Sequence, residues 1–263
     1  MIDIHSHVLW DVDDGAEDIA ESIEMARIWA ADGIRTVFAT SHVPRAILSL
    51  PGRSAAERCN ELNQHLELYG IPVTLVPGAE IYLTPDVAGL LVARREGVRP
   101  LGDSHYLLVE NWLQGTREGE IERILQGLIA AGWRPILAHP ERYVPLQKDP
   151  ERLARIVAMG VHTQVTAGSL FGDFGRAATL LAHQIIEAEL ATVIATDAHN
   201  CTGRRPGLSA ARDRIAQLWG PAMARRLTVD NPTAILNDEP LKLVGDGAAL
   251  RSPPNALLGV TQS

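Results

Sequence analysis

The feature that most constrains this chain is a repeated order: a short aliphatic run, a turn, then an amphipathic stretch. Strand-like runs fall at 2–4, 36–39, 73–76, 106–109, 135–138, 161–165 and 192–195. Helical periodicity falls at 17–31, 55–69, 86–95, 118–131, 150–159 and 176–189, with two further helices near 209–219 and 221–227. In 17–31 the apolar stripe is Ile19, Ile23, Ala26 and Ala30. Gly33, Gly70, Gly132 and Gly160 each stand just after a helix and just before a strand, where a left-handed cap belongs. Strands joined through helices run parallel, so seven such units predict an α/β fold with a parallel sheet, open or closed into a barrel. A length of 263 residues suits one barrel of about 250. The stretch from Glu239, with Gly245, Gly247 and Pro253-Pro254, has no clear period. The expected organisation is therefore one catalytic domain over 1–238 and a peripheral tail over 239–263.

Composition narrows the function classes. Apolar residues form 46% of the chain and charged residues 21%, enough for a real core. The formal net charge of -8 supplies no phosphate-tracking field, which argues against a nucleic-acid binder. Two cysteines far apart, Cys59 and Cys201, make no disulfide framework and suit a reducing compartment. No run is long enough to span a membrane, and the N-terminus lacks the pattern of a secretory signal. A cytoplasmic location, not membrane-embedded, is expected.

The chemistry-bearing residues fall on one edge of the predicted sheet. His5, His7 and Asp14 follow the first strand, His42 the second and Glu80 the third. Glu110 ends the fourth strand, His139 the fifth, and Asp197 and His199 the seventh. The C-terminal ends of parallel strands are where α/β folds build active sites. A spacing of two in extended chain puts His5 with His7, and Asp197 with His199, on one face. Nitrogen and oxygen donors without thiolate suit Mn²⁺, Fe²⁺ or Zn²⁺. Nine donors exceed one metal and suffice for two or three with a bridging carboxylate. Singly, each has a plainer reading: Asp14 as a helix N-cap three residues before Glu17, Glu80 and Asp197 as turn residues, His139 as a buried histidine. The joint pattern across six strand ends outweighs them. His65, His105, His162 and His183 lack that placement and are read as structural or surface residues.

Four carboxylates against three divalent cations leave a positive site that attracts an anion, and metal-bound water ionises near neutral pH. A phosphoester is the matching substrate. Arg142, three residues after His139, and Arg204, five after His199, are the candidate phosphate forks, set against the ordinary reading of a surface ion pair. Other routes fail on residues: neither Cys59 nor Cys201 begins a Cys-x₅-Arg loop, and no Gly-x-Ser-x-Gly or Gly-Lys phosphate loop exists. The only lysines, Lys148 and Lys242, lie off the strand ends, which excludes a carbamylated bridging lysine.

The segments Met1-Ile-Asp-Ile-His-Ser-His7, Asp14-Gly15, Thr40-Ser-His42, Gly78-Ala-Glu80, Val109-Glu110, Ala138-His-Pro-Glu-Arg142 and Thr196-Asp-Ala-His-Asn200 resemble the PHP (polymerase and histidinol phosphatase) superfamily. With Gln164-Val-Thr-Ala-Gly168, Gly172 and Phe174-Gly175, they resemble more narrowly the bacterial manganese-dependent tyrosine-protein phosphatases of capsule and exopolysaccharide operons. The resemblance implies a distorted (β/α)₇ TIM-like barrel with a trinuclear centre of manganese, with iron or zinc as alternatives. It assigns His5, His7, Glu80 and Asp197 to one metal, and bridging Glu80 with Glu110 and His139 to a second. Asp14, His42 and His199 go to the third, and Arg142 and Arg204 bind phosphate. It implies that a metal-bridging hydroxide attacks phosphotyrosine in a protein, such as the tail of a polysaccharide-assembly tyrosine kinase, without a covalent intermediate. The alternative is a small-molecule phosphatase acting, for example, on histidinol phosphate. Residues 44–54 and 111–117 depart from the family pattern and bear on substrate, not on metals.

Overall fold

Each aliphatic run becomes a strand buried on both faces, one toward a barrel interior and one toward the surrounding helices. The computed structural model describes residues 1–43, 54–92, 98–111 and 119–241. The strands are β1 (Ile2–Asp3), β2 (Thr36–Ala39), β3 (His42–Val43), β4 (Thr74–Pro77), β5 (Glu80–Tyr82), β6 (Tyr106–Glu110), β7 (Arg134–Ala138), β8 (His162–Thr166) and β9 (Val193–Ala195). All pairings among them are parallel, in the orders β1-β2-β4 and β3-β5-β6-β7-β8-β9. Only Thr40-Ser41 separates β2 from β3, and only Gly78-Ala79 separates β4 from β5. Each of those runs therefore passes from one sheet into the other, giving seven strand positions. Past β9 the chain returns to β1 through a parallel bridge between Ser6 and Ala198. There the Asp197 N–H donates to the His5 carbonyl at 2.9 Å, and the His7 N–H to the Ala198 carbonyl at 2.8 Å. The result is the distorted seven-unit (β/α) barrel that the resemblance implies, where the pattern of strands and helices leaves the sheet open or closed.

The two faces of the wall are separate apolar layers. Ile4, Phe38, Tyr106, Leu108, Ile136, Ala138, Val193 and Ala195 pack into one interior cluster. Their sequence neighbours Val37, Ala39, Leu107, Val109, Leu137 and Ile194 pack outward on helix residues such as Trp29, Leu62, Leu125 and Ile185. The period of two that sorts them is the strand's own. Ile235 and Leu241 belong to the interior cluster, and the Tyr106 hydroxyl donates to the Glu239 carbonyl at 2.7 Å. The start of the expected tail thus meets the barrel. Residues 242–263 lie outside the described residues, as do 44–53 and 112–118 of the divergent loops.

Local chemistry explains where the elements differ from expectation. The first long helix is Ile19–Ala31, capped by Asp18, whose side chain accepts the Glu21 N–H at 2.8 Å. Asp14 is therefore not its cap. The helix Ala55–Leu68 begins with a full Ser54/Glu57 capping box. After Pro221–Arg225 the chain widens into a π-type turn, Arg226–Asp230, and resumes as Asn231–Leu236. Val144–Lys148 is a further short helix. These two short helices are too brief to show a stripe, so periodicity did not reveal them.

Candidate metal centre

The interior parity that fills the barrel also delivers the site. Phe38, Thr40 and His42 are spaced by two, as are Val76, Gly78 and Glu80, Leu108 and Glu110, and Ala195 and Asp197. The apolar member of each series lies in the interior, and the ionisable one sits above it at the C-terminal rim. His139 is out of phase with Ile136 and Ala138. Its left-handed backbone (φ 35°) turns the ring back over the barrel, and Asp197 is left-handed too (φ 53°). Such conformations in non-glycine residues are strained and persist only where surrounding contacts hold them.

Glu80 and Asp197 each approach both His5 and His7. His5 Nε2 lies 3.3 Å from each of His7 Nε2, Glu80 Oε2 and Asp197 Oδ1. His7 Nε2 lies 3.4 Å from Glu80 Oε2 and 3.3 Å from Asp197 Oδ1. Two ligands of a tetrahedral cation with bonds of about 2.0–2.2 Å stand roughly 3.3–3.6 Å apart, so each of these contacts has the length of a ligand pair on a divalent cation. Glu80 extends the cluster: Oε1 is 2.8 Å from His139 Nε2, and Oε2 is 3.0 Å from His42 Nδ1. His42 Nδ1 is also 3.0 Å from Glu110 Oε1, so Glu110 stands beside His42, whereas the resemblance groups it with His139. His42 Nε2 and His199 Nε2 approach the two oxygens of Asp14 at 3.4 and 3.8 Å. Among the described residues, four groupings could hold an ion: His7/Asp14/His42/His199, His5/His7/Glu80, His5/His139/Asp197 and His42/Glu80/Glu110. All nine residues singled out in the sequence thus converge.

The donor chemistry also fits cations. Glu80 Oε2, Glu110 Oε2 and Asp197 Oδ1 are buried and accept no hydrogen bond among the described residues. Burying anionic oxygens unsatisfied is costly, and a cation in their midst removes the cost. The imidazoles are oriented from behind. His5 Nδ1 meets Gln164 Oε1 at 2.8 Å, His7 Nδ1 meets Asp13 Oδ2 at 2.7 Å, and His199 Nδ1 meets the Asp197 carbonyl at 2.9 Å. As donors at Nδ1, all three present the Nε2 lone pair inward. Burial opposes the charge on Asp197, but His5, His7, His139 and Arg204 overcome it and hold the carboxyl far below its usual range. Glu80 is likewise held low by His5, His139 and His42 against its burial. His7 is driven the other way: burial opposes its charge, yet Asp13 raises it well above the usual imidazole value. His199, buried and facing His7, falls to about 3. Glu80 and Asp197 therefore stay ionised, and a metal binding here would displace a proton from His7.

The mouth of the site is a cavity of about 420 Å³ lined by Asp14, His42, Glu80, Tyr82, Glu110, His139, Arg142, Asp197 and Arg204, among others. Arg142, ending the turn Pro140–Arg142, donates from Nη1 to Asp197 Oδ2 at 2.7 Å. Arg204 donates from Nη2 to the same oxygen. Its loop is folded by Asn200, whose side-chain oxygen accepts the backbone N–H groups of Thr202, Gly203 and Arg204.

Over residues 1–237 the chain matches a family described as capsular polysaccharide synthesis, CpsB/CapC. It belongs to that family. It is 32% identical to tyrosine-protein phosphatase CpsB of Streptococcus pneumoniae, over 91% of this chain and 99% of the relative. It is 34% identical to tyrosine-protein phosphatase YwqE of Bacillus subtilis, over 91% and 92%. A crystal structure of these proteins, described as unique metal-dependent tyrosine phosphatases, superposes with a TM-score of 0.86 at 33% identity, covering 92% of this chain and 96% of that one. A lactonase from Listeria monocytogenes, 13% identical with a TM-score of 0.54, shares the fold alone.

In this CpsB/CapC chain several supporting residues escaped the sequence reading. Asp13, not only its neighbour Asp14, is built in: its side chain is buried and accepts from His7, from the His42 N–H at 2.9 Å and from the Gly15 N–H at 3.1 Å. Asp3 accepts from Trp29 Nε1, the Thr196 N–H and the Thr196 hydroxyl, tying the ends of β1 and β9 together beneath the ligands. A carboxylate between Ile2 and Ile4 in a buried strand was its available signal. Glu141 accepts from the Thr166 N–H at 3.0 Å and the Ser169 hydroxyl at 2.7 Å, bracing the Arg142 turn. The four remaining histidines lie elsewhere: His65 against Tyr69, His105 on Asp238, His162 against Tyr106 and His183 against Trp219.

Proposed function

We propose that this chain is a metal-dependent phosphomonoesterase that hydrolyses phosphotyrosine in proteins. The observation that carries the reading is the coordination-sized shell of His5, His7, Glu80 and Asp197, with Arg142 and Arg204 converging on the outer oxygen of Asp197. His5, His7, Asp14, His42, Glu80, Glu110, His139, Asp197 and His199 would hold two or three divalent transition metals, manganese first, iron or zinc as alternatives. When bound, such metals supply an ionised water at neutral pH and take up charge on phosphoryl oxygens.

The chain's own residues do the rest. Asp197 divides its work, Oδ1 facing the imidazoles and Oδ2 holding both arginines at the cavity wall. A phosphoryl group entering that cavity meets two guanidinium groups at its wall. No cysteine or serine lines the cavity among the described residues, and burial pushes the Cys59 thiol up to about 12, so a thiol or serine nucleophile does not serve the site. Water is consumed, and tyrosine and phosphate are released. The family's link to capsular polysaccharide synthesis supports a phosphotyrosyl tail of an assembly kinase as the protein substrate, met in the cytoplasm. No helix among the described residues is long and apolar enough to cross a membrane.

The test is kcat/KM for a phosphotyrosyl peptide and for histidinol phosphate, with Mn²⁺ supplied, removed by chelator and restored. Hydrolysis of the peptide that disappears and returns with the metal is expected. A higher kcat/KM for histidinol phosphate would overturn the substrate assignment, and chelator-resistant turnover would overturn the metal assignment.

A further inference from the structure

We propose that Phe174 is a positioning residue that holds Arg142 and Arg204 together as one phosphate-binding pair. The inference rests on the reading of those arginines as phosphate forks. Arg142 Cζ lies 4.3 Å from the centroid of the Phe174 ring, and Arg204 Cζ lies 5.9 Å from it. One aromatic ring therefore meets two guanidinium groups contributed by loops 62 positions apart in sequence. Two cations this close repel, and two groups draw them together: the Asp197 Oδ2 oxygen and the Phe174 ring.

These two groups differ in what happens when an anion arrives. Phosphate oxygens compete with Asp197 for the same guanidinium N–H donors. The ring takes no N–H bond, because it attracts the cation through its π face. Phe174 is thus the contact that both arginines keep while their donors turn to substrate. It also fixes the planes of the forks, which matters because bidentate phosphate contacts are directional.

The backbone is built to present this ring. Phe174 lies in the turn Gly172–Gly175, closed by the Gly175 N–H donating to the Gly172 carbonyl at 2.9 Å. Both glycines have positive φ, 98° and 84°, a conformation that a side chain would strain. The turn is anchored behind by the Asp173 N–H on the Gly168 carbonyl, and a Cβ on Gly168 would collide with the Asp173 carboxylate at 2.4 Å. The arginine side chains are 14% and 29% exposed, so the ring acts on partly desolvated cations, where its attraction exceeds that at an open surface.

The experiment measures inorganic phosphate binding to the Mn²⁺-loaded protein by calorimetry, together with KM and kcat for a phosphotyrosyl peptide. Phe174→Leu removes the π face and keeps an apolar side chain. It should weaken phosphate binding and raise KM by roughly tenfold, with a smaller change in kcat and unchanged metal content. Phe174→Tyr should restore both to within about twofold, a rescue that simple loop packing does not predict. In an Arg142→Ala/Arg204→Ala background, Phe174→Leu should cause no further loss of phosphate affinity. Wild-type phosphate affinity in Phe174→Leu, or an equal loss in the arginine-free background, would overturn the proposal. If Phe174→Leu unfolds, Phe174→Met carries the same comparison. Phosphate calorimetry needs no turnover, so absence of peptide hydrolysis would sink the proposed function and still leave Phe174 decided.

Discussion

Replacing Asp13 by asparagine tests whether the orientation of His7 governs the metal centre. The Asp13 side chain is fully buried and makes three contacts: Oδ2 accepts from His7 Nδ1 at 2.7 Å and the His42 N–H at 2.9 Å, and Oδ1 accepts from the Gly15 N–H at 3.1 Å. Asparagine has the same shape but only one accepting oxygen. With that oxygen toward His7 and His42, the amide N–H₂ faces the Gly15 N–H, donor against donor. Turned round, it presents N–H₂ to His7 and forces that ring to the wrong tautomer. Either way at least one buried hydrogen bond to a charged group is lost, a cost of about 1.5–3 kcal/mol. Losing a carboxylate behind a ligating histidine typically weakens metal binding by about 10–100-fold, or roughly 1.4–2.7 kcal/mol. The two magnitudes agree. The Mn²⁺ concentration for half-maximal phosphatase activity, checked by metal retention against a competing chelator, should therefore rise by about 10–100-fold in Asp13→Asn. A wild-type midpoint and retention would refute the argument, since His7 would then need no partner behind it.

Two further outcomes follow from packing and burial. In Gly15→Ala the added Cβ would sit 2.0 Å from the His7 carbonyl oxygen and 2.6 Å from the His7 Cβ, so the 13–16 turn must move by roughly 1 Å and carry Asp13 and Asp14 with it. Activity at fixed Mn²⁺ should fall by about 10²-fold; a loss under threefold would show that the turn yields without disturbing the ligands. His162 is held down to about 4, first by burial and then by Arg134, while the unfolded value is 6.5. The unfolded chain therefore binds the proton first, and stability from this group is full above pH 6.5 and is lost as pH falls toward 4. Urea unfolding of the metal-free protein should lose about 2 kcal/mol more between pH 7 and pH 5 in the wild type than in His162→Gln, and equal losses would contradict the assignment.

Much of the site was legible because its spacing obeys local rules. The alternation of strand and helix, the parity of Val76, Gly78 and Glu80, and the pairs His5/His7 and Asp197/His199 are properties of extended backbone and survive without any tertiary information. Other features were hidden because they depend on what lies opposite. Asp13 and Asp14 are adjacent and chemically alike. Only the position of His7 decides that one braces a ring from behind while the other faces the cavity. His139 reads as outward by alternation, and its left-handed turn over the barrel is set by the packing around it. Phe174 carries no recognisable charge pattern, and its meaning arises where two distant arginines meet.

The sequence by itself determined the fold class and the working edge, since side-chain period and helix caps are short-range effects written in consecutive residues. The tertiary structure alone decided how the ring closes, at Ser6 and Ala198, and which donors share a point. Closure joins residues about 190 positions apart, and ligand spacing is measured across the barrel, so neither has a local signature. The charge balance makes the same division. A net -8 is a sum over the chain, whereas the clustering of imidazoles and arginines around the buried carboxylates Glu80, Glu110 and Asp197 exists only once the strand ends are brought together.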